Sequence, residues 1–596
     1  MSLPQAKSAP TRSAAARTGS DWLATDCRGM NFYAADRGLR ALLPLYLPDA
    51  LLRHLEPHLS RLGELAGGRL DELAAVADRN PPALHARDRY GRDEDWIEYH
   101  PAYREMESIA FAEFGLHAMS HRGGVLGWPE PFPPLAKYAF QYLFVQGEFG
   151  LMCPVSVTDT STHLLIRYGD EALRRRFVPR MLSQDPAALL KGTQFMTEKA
   201  GGSDVGAIEA VARRDGEGWR LYGEKWFCSH ADADVAMLLA RPEGAPLGTR
   251  GLALFAMPRR LEDGSRNGYR IVRLQDKLGT RSMASGEIRL EGALAYPVGA
   301  LEQGLKQMLS QVNLSRLSHG VRAAAMMRRC WNEALQAART RIAFDRPVAQ
   351  LPLMRRQLLK LLVPTEQALS MFAWTAAVMG EANAGRAGAQ SLMRLLTPLF
   401  KFRACRDNIQ VATGAMEARG GMGYIEDFVT ARLVRDAHIG VLWEGTSNIV
   451  ALDVVTRAVR KDRAHEALGE ALRDKLTQAA GVPADFRRRV EERVARATAF
   501  AGEVAQQSER EPQARQAASA LYHAASAVLL LWEAERAGTA GGDARRLLLS
   551  RLVLEHRLSP RDPLASHAPA WESRAADLLL DEAPVSFAEA CRLVAG

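Results

Sequence analysis

The sequence predicts an α+β protein: an N-terminal helical domain, a small middle β domain, a helical bundle and an extra C-terminal helical domain. Three observations support this prediction. Apolar residues recur at helical spacing in the first third of the chain, short alternating strands follow residue 192, and long amphipathic helices follow residue 302. A length of 596 residues gives room for several domains, each with its own core.

Changes in periodicity place the expected domain boundaries. The N-terminal helical domain is expected at 35–191, the middle β domain at 192–301, the helical bundle at 302–461 and the additional helical domain at 462–596. The chain before them, 1–34, starts with basic and small residues and lacks the apolar core of a secretory signal. We therefore interpret it as a mobile basic arm.

The composition restricts the class of protein. With 47% hydrophobic and 24% charged residues, the chain is typical of globular proteins and not of disordered or fibrous ones. Its longest apolar runs, such as Ala527 to Trp532, are far shorter than the roughly 20 residues that a membrane-spanning helix needs. Six scattered cysteines show neither a CxxC pair nor zinc-ligand spacing, so we expect no structural metal, no disulfide framework and a cytoplasmic location.

The positive charge is concentrated in the bundle. The chain has 77 Lys and Arg against 69 Asp and Glu, a net charge of +8. The stretch 313–420 alone has sixteen bases and six acids, a net +10, whereas 457–596 has twenty-one bases and twenty acids. A basic footprint over the whole C-terminal domain, as expected for a dedicated nucleic-acid-binding domain, is therefore absent.

Two segments of the β region contain residue types that suit a ligand. The segment from Met196 to Asp204 combines the hydroxyls of Thr197 and Ser203 with a double glycine, whose backbone amides could bind a heterocycle or a phosphate. A second segment places Phe227 beside Ser229 in a strand-like context. Taken alone, the first segment is more typical of an ordinary turn, and the second is more typical of aromatic residues that fill a β core.

Three further segments lie in the bundle. Arg341, at the end of a long helix, could bind a pyrophosphate or compensate the helix dipole. Gly421 belongs to a glycine run that no strand precedes, so a Rossmann site is not supported. Glu444 is followed by Thr446 and Ser447, and either of them is a plausible N-cap for the next apolar helix.

These five segments, in this order, resemble the flavin-dependent acyl-CoA dehydrogenase family over about residues 80–460. A narrower resemblance is to the AidB-like branch, whose members have an additional C-terminal helical domain and are linked to the alkylation-damage response. The segments that are similar to this branch are Asn80-Pro81-Pro82, His100-Pro101-Ala102, 196–205, 275–282, 325–329 and 448–454.

The resemblance implies an acyl-CoA substrate, FAD held across a dimer interface, and a homotetramer that passes electrons to an electron-transfer flavoprotein. It implies that Glu444 is the catalytic base and that Arg316 lies near the CoA-binding entrance. Trp443 stands where the family commonly has tyrosine, and its larger ring could narrow the acyl pocket. The positions that match cofactor-binding residues of the family are Met196, Thr197, Ser203, Phe227, Ser229, Arg341, Gly421 and Thr446.

Two functions are expected from the resemblance. The first is α,β-dehydrogenation of an acyl-CoA thioester, with Glu444 as the base and hydride transfer to flavin N5. The alternative is an AidB-like flavoprotein that binds duplex DNA and has weak dehydrogenase activity, and the arginine clusters 457–463 and 487–496 favour it. Glu491 and Glu492 could neutralise the second cluster by forming ion pairs along a helix.

Overall fold

The N-terminal domain of the computed structural model is helical with one β-hairpin. The structure describes residues 24–595 apart from 217, 561, 563 and 565–569. Asp36 caps the second helix by accepting a hydrogen bond from the Leu39 N–H at 2.9 Å. The elements in chain order are α1 (Phe32–Ala35), α2 (Arg37–Tyr46), α3 (Asp49–Gly67), α4 (Arg69–Arg79), β1 (Ala83–Arg87), β2 (Asp93–Glu98), α5 (Pro101–Glu107), α6 (Pro134–Gly147), α7 (Met152–Tyr168) and α8 (Glu171–Met181).

The predicted mobile arm at 1–34 needs a correction at its end. Residues 1–23 lie outside the described residues. The following residues are packed, because Cys27 and Phe32 are fully buried and Asn31 caps α1 by accepting from two backbone N–H groups. Burial of these apolar side chains fixes this stretch, so it forms part of the helical domain.

The hairpin of β1 and β2 is not predicted by the sequence analysis. The two strands pair antiparallel, and in β2 only Asp95 and Ile97 are buried. Because the other positions of β2 are mostly charged, the apolar alternation that normally reveals a strand is weak here.

The middle domain is a seven-stranded sheet in the order β3-β6-β4-β5-β9-β7, with β8 added beside β9. Most neighbours pair antiparallel, whereas β3 and β4 each pair parallel with β6. The register of β5 against β9 shifts between Lys225 and Cys228, so Trp226 and Phe227 form a bulge. The strands are β3 (Gly192–Phe195), β4 (Val211–Asp215), β5 (Gly218–Ser229), β6 (Val235–Pro242), β7 (Ala253–Pro258), β8 (Tyr269–Leu274) and β9 (Ser285–Pro297).

Long helices form the rest of the chain. In the bundle, α9 packs against α10 and α11, and in the last domain α16 packs on both α10 and α11. No helix among the described residues is both long and apolar enough to cross a membrane. The remaining elements are α9 (Gly304–Thr340), β10 (Ile342–Ala343), β11 (Arg346–Pro347), α10 (Pro352–Asn383), α11 (Ala389–Arg419), α12 (Val429–Ala437), α13 (Ser447–Leu452), α14 (Ala464–Gln478), α15 (Ala484–Gln506), α16 (Ala514–Thr539), α17 (Arg545–Arg557), α18 (Ala570–Leu580) and α19 (Phe587–Ala595).

Two buried ion-pair chains connect α9 with the other domains. In the first, Arg329 binds Asp71 of α4 at 3.1 Å and Glu333 at 3.0 Å, and Arg432 of α12 binds Asp71 at 2.8 Å. Burial disfavours the Asp71 carboxylate, but the two guanidinium groups outweigh it and hold its pKa below the ordinary value. The carboxylate of Asp71 therefore joins the N-terminal domain to the bundle.

The second chain reaches the C-terminal domain. Arg328 pairs with Asp36 at 3.1 Å and with Glu366 of α10. Arg546 of α17 binds the other oxygen of Glu366 at 2.7 Å and also binds Glu533 at 2.8 Å. Much of the excess positive charge of the bundle is therefore neutralised internally and is not displayed on a surface.

We expect Asp71→Asn to lower the free energy of unfolding by about 3 kcal/mol, because it leaves the buried guanidinium of Arg432 without its counter-charge and Arg329 with Glu333 alone. The midpoint of the first urea transition, followed by tryptophan fluorescence, measures this loss. Since the native pKa of Asp71 is lowered, its stabilisation is present above the ordinary carboxyl pKa and disappears as pH falls through the native value. The difference between variant and wild type should shrink accordingly in acid.

Asp485→Asn is the matched control, because the side chain of Asp485 is 85% exposed and pairs with Arg488 at 3.4 Å on the same helix. It should leave the midpoint unchanged. Equal effects of the two substitutions would contradict the role assigned to Asp71.

Candidate active site

Glu444 lies in the short loop between α12 and α13, and its backbone is unusual. Its φ of 55° is in the left-handed region, which residues with a side chain rarely adopt, and Gly445 follows with a φ of 96°. Among the described residues, no acceptor binds the backbone N–H of Glu444. Strain of this kind persists only where the surrounding structure holds it.

Two cationic side chains bind backbone carbonyl oxygens of this loop. Arg316 of α9 donates from Nε to the carbonyl oxygen of Glu444 at 3.1 Å and pairs with Asp453 at 2.7 Å. Lys401 of α11 donates to the carbonyl oxygen of Gly445 at 2.5 Å. Arg394 fixes Asp453 in turn, at 2.7 Å. The conformation of the loop is therefore set by charge-assisted hydrogen bonds from two bundle helices.

Arg316 is buried beside the Glu444 loop. The residue is only 7% exposed, and its guanidinium binds Asp453 and the Glu444 carbonyl. These contacts hold the backbone of Glu444 in place. A role of Arg316 near the CoA-binding entrance stays a prediction.

The carboxyl group of Glu444 has a shifted acidity. Burial raises its pKa above the ordinary value, and the nearby cations Arg316 and Lys401 oppose that shift only in part. Gln194 of β3 donates to Glu444 Oε1 at 2.8 Å and orients the group. A carboxyl group with a raised pKa is suited to general-base catalysis near neutral pH.

Four of the predicted cofactor residues come together at the edge of the β domain. The backbone N–H of Trp226 donates to the Thr197 carbonyl at 2.8 Å, so the bulge of β5 lies beside Met196 and Thr197. Phe227, at the tip of the bulge, is 60% exposed and has a φ of 56°. Ser229 is partly exposed two residues later. An exposed ring between hydroxyls and backbone amides fits a planar heterocycle such as flavin.

Two more predicted residues, Arg341 and Gly421, lie near the end of α11. Arg341 donates to the Arg419 carbonyl at 3.4 Å, and a Cβ at Gly420 would lie 2.6 Å from its Nη1. A Cβ at Gly421 would meet nothing within 4 Å, so the turn leaves open space beside an exposed guanidinium. That combination fits a phosphate group.

The last two predicted cofactor residues, Ser203 and Thr446, are exposed. Ser203 lies in the loop between β3 and β4. Thr446 occupies the N-cap position of α13, as the sequence predicts, but its side chain makes no capping hydrogen bond. The hydroxyl groups of both residues are therefore accessible to a ligand.

Several residues around Glu444 were missed by the sequence analysis. Gln194 precedes Met196 by two residues in β3 and binds Glu444 directly. His319 and Arg322 approach the Trp443 ring, with His319 in an edge contact at a centroid distance of 5.2 Å and the Arg322 guanidinium carbon at 5.8 Å. Ser315, His319 and Arg322 follow a spacing of four and three residues, which places them on one face of α9. That spacing is the signal that could have revealed them.

Comparisons with known proteins identify the family of the chain. The chain matches the models of the acyl-CoA dehydrogenase C-terminal domain at 302–459, the acyl-CoA dehydrogenase middle domain at 193–293 and the AidB N-terminal domain at 23–186. It is 31% identical over 452 residues to acyl-CoA dehydrogenase family member 11 of Caenorhabditis elegans, covering 74% of this chain and 72% of the relative.

A second relative and a solved structure support the same family. The putative acyl-CoA dehydrogenase AidB of Escherichia coli is 34% identical over 417 residues, which cover 67% of this chain and 73% of that protein. The crystal structure of Caenorhabditis elegans ACDH-11 in complex with C11-CoA superposes with a TM-score of 0.84 at 27% identity, over 92% of this chain and 94% of the other.

The fold and the site define an oxidoreductase, and the chain belongs to the acyl-CoA dehydrogenase family. Within that family, its N-terminal domain places it in the AidB-like branch. The predicted α+β fold and the predicted family are thereby confirmed.

Replacement of Arg341 tests the phosphate side of the site. We expect Arg341→Ala to weaken FAD binding roughly 10- to 100-fold, because it removes a charge-assisted hydrogen bond to a phosphate. Fluorescence titration of the apoprotein with FAD measures the change in Kd. Arg386→Ala, which removes an exposed arginine paired with Glu381 at 2.9 Å, is the control for net charge. An unchanged Kd for Arg341→Ala would exclude this residue from the FAD site.

Proposed function

We propose that this protein catalyses the α,β-dehydrogenation of an acyl-CoA thioester, with Glu444 as the base. The observation that carries the proposal is the Glu444 loop: a carboxyl group whose pKa is raised by burial, on a backbone held in a left-handed conformation by Arg316 and Lys401. Family membership supports the same reaction.

Different groups of this chain have different proposed roles in the reaction. Glu444 removes the α proton of the thioester, and Gln194, which donates to Oε1, leaves Oε2 free to accept that proton. The backbone N–H of Glu444 is available to polarise the thioester carbonyl, whose oxygen gains negative charge as the proton leaves. The α proton and the β hydride together make up the two hydrogens lost when the α,β double bond forms.

FAD is the proposed cofactor, because Phe227, Met196 and Thr197 fit its ring and Arg341 with Gly421 fits its phosphates. When bound, it accepts the β hydride. Ser229 lies next to the bulge and is the proposed hydrogen-bond donor to the edge of the ring. Ser203 and Thr446 are the remaining proposed contacts.

The assembly and the electron acceptor are also part of the proposal. Arg341 and Gly421 lie in the bundle, whereas Met196 and Phe227 lie in the β domain, and the family pattern completes one FAD site from two subunits. We propose a homotetramer in the cytoplasm that passes its electrons to an electron-transfer flavoprotein. Exposed apolar side chains near the Arg341 turn, Phe344 at 83% and Tyr424 at 78% exposure, support a subunit contact there.

The DNA-binding alternative stays a prediction. In the described structure Arg488 pairs with Asp485 and Glu492, and Arg489 lies 3.6 Å from Glu555, which reduces the free positive charge of that cluster. The exposed bases Arg457, Arg460 and Lys461 lie together at the end of the bundle, next to the last domain. Nothing in the geometry favours a duplex over the proposed thioester.

Anaerobic reduction of the flavin by a panel of short, branched and long acyl-CoAs tests the proposed reaction. We expect one class to bleach the flavin rapidly and Glu444→Gln to slow that bleaching at least about 1000-fold, because the amide cannot accept the proton. The rate should rise with pH through the raised pKa of Glu444, since the base must be ionised. An oxidised flavin with every thioester, or full activity of Glu444→Gln, would contradict the proposal.

A further inference from the structure

Arg322 is a buried arginine to which the proposed mechanism assigns no role. It lies on α9, one and a half turns after Arg316, and is only 1% exposed. Its guanidinium carbon lies 5.8 Å from the ring centroid of Trp443 and 5.9 Å from that of Phe149. The group therefore lies between two aromatic rings, beside the residue that precedes the base.

The hydrogen bonds of Arg322 are incomplete. Its Nε donates to Ser318 Oγ at a long 3.3 Å, and Nη1 is buried without any partner. It also makes a side-chain hydrogen bond to the thiol of Cys153, which is a weak acceptor, and Glu444 and Cys405 lie close enough to interact with its charge. Among the described residues, no carboxylate forms an ion pair with this side chain. Burial accordingly lowers the pKa of Arg322 below its ordinary value.

The other buried arginines of α9 each form ion pairs with carboxylates. Arg316 is paired with Asp453, Arg328 with Asp36 and Glu366, and Arg329 with Asp71 and Glu333. A buried cation costs several kcal/mol unless an anion compensates it. Three buried arginines of α9 therefore have carboxylate partners, most of them on other elements, and the fourth forms no ion pair with a described residue.

Glu444 is not the counter-ion of Arg322. Its Oε1 accepts from Gln194, and the cation of Arg322 contributes less to the pKa of Glu444 than either Arg316 or Lys401 does. Arg322 and Glu444 form neither a hydrogen bond nor an ion pair in the described structure. The two groups are near each other but are not an ion pair.

Two further polar atoms beside the base have no partner. His319 donates from Nδ1 to the Ser315 carbonyl at 2.7 Å, which leaves its Nε2 as an unpartnered acceptor, and burial holds its pKa well below the ordinary value. The Gln194 Oε1 atom is likewise buried and unpartnered. Unpaired buried polar atoms are rare in native proteins, and each calls for an explanation such as a bound ligand, ion or water. Gln194, which binds Glu444, and His319, which contacts Trp443, therefore bring unsatisfied polar atoms close to the base.

We propose that Arg322 binds a carboxylate at the far end of the acyl chain, so that the substrate is an ω-carboxyacyl thioester. This inference rests on the proposed function, because it assumes that an acyl-CoA reaches Glu444. The substrate carboxylate supplies the counter-charge that no described residue provides to Arg322. Trp443 and Phe149 shield this carboxylate–guanidinium pair from water. The α proton and the β hydride leave as proposed above, and the carboxylate is bound without being transformed.

The test compares straight-chain acyl-CoAs with ω-carboxyacyl-CoAs of four to eight carbons, using the FAD-loaded protein. We expect kcat/KM for flavin reduction to favour the best ω-carboxyacyl-CoA roughly 10- to 100-fold over the straight chain of equal length. In Arg322→Met, which keeps the apolar volume and removes the charge, that preference should disappear. The pH dependence of kcat should keep its position, because Arg322 acts on the substrate and not on Glu444.

Stability gives a second measurement that does not need turnover. Because Arg322 is an uncompensated buried cation, Arg322→Met should raise the thermal midpoint by roughly 1–3 °C. Arg328→Met, on the same helix and equally buried but paired, should lower it. An ω-carboxyacyl-CoA should stabilise the wild type and not the Arg322→Met variant.

The outcomes separate the two proposals. A wild-type preference for straight chains, a preference that survives Arg322→Met, or a variant that only shifts the pH profile would overturn the inference and leave the dehydrogenase intact. If no thioester reduces the flavin, the proposed function fails. Calorimetric titration with the ω-carboxyacyl-CoAs then still decides the inference, since equal affinities of wild type and Arg322→Met would contradict it.

Discussion

The buried arginines of α9 are the constraint on which the rest of the structure depends. Arg328 and Arg329 are adjacent, yet one reaches carboxylates of α10 and of the N-terminal domain and the other reaches α4 and, through Asp71, α12. Since each of these carboxylates is buried, none can separate from its arginine without exposing an unpaired charge to an apolar interior. The domains are thereby fixed around one helix.

The same helix also fixes the position of Glu444. Arg316 places the backbone of Glu444, and Asp453 and Arg394 place Arg316. Strain at Glu444 is thus sustained by ion pairs that lie outside the reacting groups. Arg322 follows the opposite rule, because it is buried without a carboxylate. The paired arginines of this helix therefore stabilise the structure, and the arginine without an ion pair is the proposed binding group for the ligand.

The order of the domains could be predicted from changes in periodicity. Glu444, Phe227 and Arg341 were singled out because five segments in this order resemble a known family, whereas each segment alone is more typical of an ordinary structural element. The hairpin at 83–98 could not be predicted, since its charged strand lacks alternation. The ion pair of Arg316 with Asp453 could not be predicted, because it joins residues more than a hundred positions apart. Arg322 was one base among sixteen in the count of 313–420, and only the structure separates it from its paired neighbours.

The central claim is that Glu444 removes an α proton, and isotope exchange tests it most directly. The substrate is 3,3-dimethylbutyryl-CoA, which has α hydrogens but no β hydrogen, so exchange is observed without oxidation. In D2O, with binding verified by calorimetry, mass spectrometry should show deuterium entering the α carbon with the wild type and not with Glu444→Gln. Bound thioester without exchange, or equal exchange by both proteins, would contradict the role of Glu444 as the base.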